Sequence, residues 1–88
     1  MLELAEYSRC WDLLVRLRGV SFFPDDGDFS VEVGIKNKRP VLSEVIKAPS
    51  RVVLMREIRE NVYDNEDIEI KLDPGNERNV KIFFTKRR

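Results

Sequence analysis

Val41-Leu42-Ser43-Glu44-Val45-Ile46-Lys47 decides the fold, because these residues read two ways. Val41/Val45 and Leu42/Ile46 are spaced four apart, as on a helix, and follow Pro40, an ordinary first-turn residue. The same stretch alternates as a strand with Val41, Ser43 and Val45 facing inward and Leu42 and Ile46 facing outward. Read as a strand it completes the first hairpin; read as a helix it changes the fold.

An internal correspondence favours the strand. Sliding the chain against itself by 39 residues, without a gap, sets Asp25 on Asp64, Asp28 on Asp67, Asn37 on Asn76, Arg39 on Arg78, Val41 on Val80 and Lys47 on Lys86. Phe29, Val31 and Val33 then fall on Ile68, Ile70 and Leu72, and Val45 falls on Phe84. The counterpart of 41–47, Val80 to Lys86, reads plainly as a strand. Two amphipathic hairpins share alternation in any case, so a tandem helix-hairpin repeat is one of two readings of this match.

The flanking segments are easier. Residues 2–18 carry Leu4, Tyr7, Trp11, Leu14 and Leu17 at helical spacing, which predicts an amphipathic helix with that stripe as its core face. Asp12 and Arg16 form a favourable i,i+4 pair on it, and Gly19 is its stop. The rival reading extends Leu13 to Phe23 as a strand. Pro24-Asp25-Asp26-Gly27-Asp28 is a turn, and Phe29 to Lys36 alternates as a half-buried strand with Phe29, Val31, Val33 and Ile35 inward. Ser50 caps a second helix whose stripe is Val53 or Leu54, Ile58 and Val62, with Asn61 as terminator. Ile68, Ile70 and Leu72 mark a third strand, Asp73-Pro74-Gly75-Asn76 a turn, and Val80, Ile82 and Phe84 a fourth strand. The expected fold is α+β in the order α-β-β-α-β-β: a four-stranded, largely antiparallel sheet with two helices on one face and the other face open.

With 88 residues this is one domain, 1–88, with a frayed basic tail at 86–88. Net charge is zero, from 16 basic and 16 acidic residues, which argues against a global field for nucleic acid or anionic membrane. The charges are uneven: eight acids stand against Arg59 and Lys71 between Glu57 and Glu77, and five bases with no acid lie between Arg78 and Arg88. Acids near the start, the lone Cys10 and the lack of an apolar run near the about 20 residues needed to span a bilayer predict a cytoplasmic protein.

Catalysis has little to work with. Histidine is absent, which removes Ser–His and Cys–His nucleophile systems, histidine proton shuttles and histidine metal sites. Cys10, beside Trp11, is expected as a packed structural thiol, and Trp11 and Tyr7 as core. Asp25, Asp26 and Asp28 lack the ligand spacing of a calcium loop, and the scattered glycines form no phosphate-cradling loop. The expectation is no enzyme, no cofactor, no metal, no membrane and no small-molecule substrate.

Two surfaces remain. Leu42, Ile46 and Phe83 would form an apolar patch on the open sheet face among charges of both signs, suiting a protein partner or a homodimer. Lys36, Lys38 and Arg39 in the first hairpin turn, with Lys86, Arg87 and Arg88, could meet nucleic acid. In a simple hairpin stack those two groups lie at opposite ends of the strands, and Glu44 and Glu77 would weaken their field. Residues 44–85 loosely resemble the C-terminal half of Alba-type chromatin proteins, through Val45-Ile46-Lys47-Ala48, Ile68-Glu69-Ile70-Lys71, Val80-Lys81-Ile82-Phe83 and the basic Lys38-Arg39-Pro40. The order before residue 44 and the neutral charge balance depart from that family, and the chain is not assigned to it. The functional expectation is a non-enzymatic interaction module acting as a homodimer, with nucleic-acid binding through the basic turn and tail as the alternative.

Overall fold

The structure, a computed structural model, describes residues 4–18, 27–40, 42–62 and 66–85, with side chains from Glu6 onward. Helix α1 spans Leu4–Arg18, strands β1 Gly27–Ile35 and β2 Leu42–Ala48, helix α2 Arg51–Glu60, and strands β3 Ile68–Asp73 and β4 Asn76–Phe84. The α-β-β-α-β-β order is the one expected, and the 41–47 stretch is a strand from Leu42 on. Pro24 to Asp26, Gly19, the beginning of the first helix before Leu4, and the 86–88 stretch lie outside the described residues.

The sheet order is β2-β1-β4-β3. β1 pairs antiparallel with β2 and β3 antiparallel with β4, and the hairpins join through a parallel β1–β4 pair, Val31 beside Val80 and Val33 beside Ile82. β3 therefore runs opposite to β1 and β4 opposite to β2. A translated helix-hairpin repeat would keep each pair in the same direction and join the hairpins through an antiparallel pair; the sheet is mixed and does not follow that repeat.

Alternation explains the core. Phe29, Val31, Val33 and Ile35 of β1 and Val80, Ile82 and Phe84 of β4 face one side, where they meet Cys10, Leu13, Leu14 and Leu17 of α1 and Leu54 and Ile58 of α2. Both helices thus lie on one face. Ser50 caps α2, its Oγ accepting from the Val53 amide at 3.2 Å. Asn61 ends the helix, its side-chain amide donating to the Glu57 carbonyl at 2.8 Å.

Two facing assignments are corrected. On α1 the buried stripe is Glu6, Cys10, Leu13, Leu14 and Leu17, whereas Tyr7, Trp11 and Val15 are 40–45% exposed. On β2, Leu42 stands opposite Val33 and Ile46 opposite Phe29, so Leu42 and Ile46 face the core, and Val45 is 62% exposed. The cause is a one-residue slip. Val33 pairs with Leu42, so a gap-free shift of 39 would pair Leu72 with Lys81; instead Leu72 pairs with Val80, and the ladder is irregular between Leu72 and Asp73. A slip of one residue moves every side chain of a strand to the other face.

Candidate functional site

The apolar patch expected on the open face is not formed. Leu42 and Ile46 are on the helix side, and Phe83 alone of the three is on the open side, where it is 9% exposed. Phe83 stands between Gly34 and Glu69, and the Lys71 ammonium lies 5.4 Å from its ring centre. Its neighbours on that face are charged: Glu32 beside Lys81, Lys71 opposite Lys81, and Glu32 accepting from the Asn79 side chain at 2.9 Å.

The basic turn Lys36-Asn37-Lys38-Arg39 and Thr85 are brought to the same end of the sheet, while Lys86, Arg87 and Arg88 lie outside the described residues. Because β1 and β4 run parallel, their last residues Ile35 and Phe84 are neighbours, and the Lys36 amide donates to the Phe84 carbonyl at 2.9 Å. The first hairpin then turns: Lys38 donates back to the Ile35 carbonyl at 3.0 Å, and Asn37 takes a left-handed φ of 68°, a conformation Asn tolerates better than most residues. Arg39 and Pro40 follow, packed so closely over Gly34 that a β-carbon there would lie 2.9 Å from the Pro40 Cα. Between the turn and the end of β4 is an open hollow of about 300 Å³, floored by Ile35 and Phe84 and rimmed by Lys36, Asn37, Lys38 and Thr85. Thr85 is held there by its amide, which donates to the Asp67 carbonyl at 3.0 Å, and the sequence continues from it with Lys86-Arg87-Arg88.

Of the acids at this end Glu6, Glu66 and Glu69 are engaged by bases, and Asp67, whose carbonyl holds the Thr85 amide, is exposed. Glu6 of α1 reaches Lys38 Nζ at 3.6 Å, and Glu69 of β3 reaches Lys36 Nζ at 3.5 Å. Arg9 donates to the buried Glu66 carboxylate at 3.1 Å and stacks on the Phe84 ring, its guanidinium carbon 4.4 Å from the ring centre. This cluster ties α1 to the end of β4 and the approach to β3. The acids named as weakening the field are elsewhere: Glu44 reaches Arg18 at 3.5 Å on the β2 flank, and Glu77 lies near the beginning of β4, the far end of that strand. The two lysines stay accessible, with side chains 50% and 37% exposed for Lys36 and Lys38.

Cys10 is fully buried, and burial pushes its thiol up to about 11, with Arg9 opposing and Glu6 adding to the rise. A thiol so held is a packing group in its ground state. Among the described residues no three Cys, Asp or Glu side chains are grouped closely enough to hold a metal ion, and no helix is long and apolar enough to cross a membrane. The sequence could not reveal the basic end, since the juxtaposition depends on strand order; the only signal was the presence of two short runs of bases.

Comparison with known proteins finds no family model, no curated protein and no solved structure that matches this chain.

Proposed function

We propose that this domain is a non-catalytic binding module whose partner is a polyanion, nucleic acid in the first instance, met at the end of the sheet where β1 and β4 finish together. The observation that supports this reading is the parallel β1–β4 pair. It sets the Lys36-Asn37-Lys38-Arg39 turn beside Thr85, from which Lys86, Arg87 and Arg88 follow. Phosphate binding needs clustered positive charge; Lys36, Lys38 and Arg39 stand at this end, and three more bases follow Thr85 in the sequence. The Lys36–Glu69 pair is a partly solvated contact of 3.5 Å, of a kind worth about 0–1 kcal/mol, which phosphate oxygens can replace at little cost, and Lys38, paired at 3.6 Å with the buried Glu6, keeps a side chain 37% exposed. Among the described residues no base-reading helix or stacking platform lines the hollow, so the reading is of backbone contact without sequence preference.

The test is fluorescence anisotropy with labelled single-stranded and duplex DNA at low salt. Binding that weakens with salt, by a slope of about −0.7 to −0.9 per phosphate contacted, is expected. The variant with Lys38, Arg39, Arg87 and Arg88 all changed to Gln loses it while keeping its unfolding transition. Absence of binding by the unaltered protein at low salt ends the proposal.

A further inference from the structure

The two outer edges of the sheet are not alike. The helices pack chiefly on the other half of the sheet, α1 against β1 and β2 and α2 against β2, whereas β3 packs chiefly on β4. Ile68 and Ile70 of β3 are only half-buried on the helix side, and Leu72 is 38% exposed. Among the described residues no strand pairs with the outer edge of β3. An apolar strand with an unpaired edge is a template for a further strand.

The hydrogen-bond phase of that edge can be read off. Thr85 donates to the Asp67 carbonyl, and Asp67 continues the β3–β4 register, which pairs Ile68 with Phe84 and Ile70 with Ile82. In an antiparallel ladder the bonded pairs alternate, so Glu69 and Lys71 bond to β4 while the amides and carbonyls of Ile68, Ile70 and Leu72 point to the free edge. The exposed backbone groups therefore belong to the three apolar residues.

We infer that β3 is a dimerisation edge: a second copy of this chain pairs its own β3 antiparallel to it, about a two-fold axis passing between the two Ile70 residues. The sequence Ile68-Glu69-Ile70-Lys71-Leu72 is complementary to itself in that register. Ile70 meets Ile70, Ile68 meets Leu72 twice, and Glu69 meets Lys71 twice. The bonding groups of all three apolar residues fall opposite one another. On the helix side the six apolar side chains form one ladder across the axis, covering Leu72. On the open side the two Glu69–Lys71 pairs close the seam. Charge fixes the register as well: moving the axis one residue either way sets Glu69 against Glu69 or Lys71 against Lys71, and parallel in-register pairing does both. The β2 edge has no such match, since pairing about Val45 sets Glu44 against Ile46 and Lys47 against Ser43. This inference is independent of the polyanion reading.

Sedimentation velocity across a range of protein concentrations tests it. The unaltered chain is expected near twice 10.4 kDa. Glu69→Lys and Lys71→Glu each place like charges across the seam, and each should sediment as a monomer with its unfolding transition retained. Mixed in equal amounts, the two variants present opposite charges to one another and should form a heterodimer, which a misfolded variant could not do. A monomeric unaltered chain, single variants that still dimerise, or a mixture that stays monomeric each overturns the assignment.

Discussion

The Lys36 amide donates to the Phe84 carbonyl at 2.9 Å, so the chain leaves β1 and β4 side by side and in the same direction. Such a parallel contact needs the two strands to come from different hairpins, with a helix-containing connection between them. Here that connection is β2, α2 and β3, which carries the chain from one edge of the sheet to the other. The same bond makes the turn at Lys36–Arg39 and Thr85 neighbours, and on that neighbourhood the proposed polyanion contact rests.

The orientation of β2 can be checked by two adjacent substitutions. Ile46 is 3% exposed and opposite Phe29, so Ile46→Ala opens a cavity in the core and is expected to cost about 2–4 kcal/mol. Val45 is on the open face, and Val45→Ala should change stability by no more than about 0.5 kcal/mol. Urea unfolding of the two variants decides the matter; equal losses, or the reverse order, would contradict the observed register.

Gly34 is a second test of local geometry. A β-carbon there would stand 2.9 Å from the Pro40 Cα and 3.2 Å from the Arg39 carbonyl oxygen, both backbone atoms that cannot rotate away. Gly34→Ala is expected to destabilise by about 1–3 kcal/mol as the Arg39-Pro40 segment is pushed off the sheet. Calorimetry supplies the stability change. Amide chemical shifts should move at Lys38 and Arg39, and shifts unchanged there would mean that the close approach is absent.

Much of this fold is legible in the sequence because alternation and capping are local. The β1, β3 and β4 strands, the Ser50 cap, the Asn61 stop and the Asp12–Arg16 pair, observed at 2.6 Å, all follow from spacings of four residues or fewer. What the sequence conceals depends on distant partners. The facing of β2 turns on how many residues each hairpin spends in its loop, and the irregularity at Leu72/Asp73 shifts the count by one. The core face of α1 is hidden because Tyr7 and Trp11 share helical spacing with Leu14, and the buried Glu6 is paired with Lys38, some thirty residues on. Both basic runs are visible in the sequence, but that the Lys36–Arg39 turn stands beside Thr85 depends on the strand order.

Cys10 gives the pH-dependent expectation. Its thiol is raised from 9.0 to about 11 in the folded protein, chiefly by burial, so the neutral form is the one the native state favours. Below pH 9 the thiol is neutral in both states and its contribution to stability is fully present. Between pH 9 and about 11 the unfolded chain releases the proton first, and that contribution is lost, by at most about 1.4 kcal/mol per pH unit. The measurement is the difference between the unaltered protein and Cys10→Ala in urea unfolding at pH 8 and pH 10.5, which isolates the thiol. The variant should be less stable at pH 8, through the loss of packing at a fully buried position, and the gap should narrow or close at pH 10.5. A gap that is constant across the range would mean that the thiol ionises as readily in the folded chain as in the unfolded one, contrary to its complete burial.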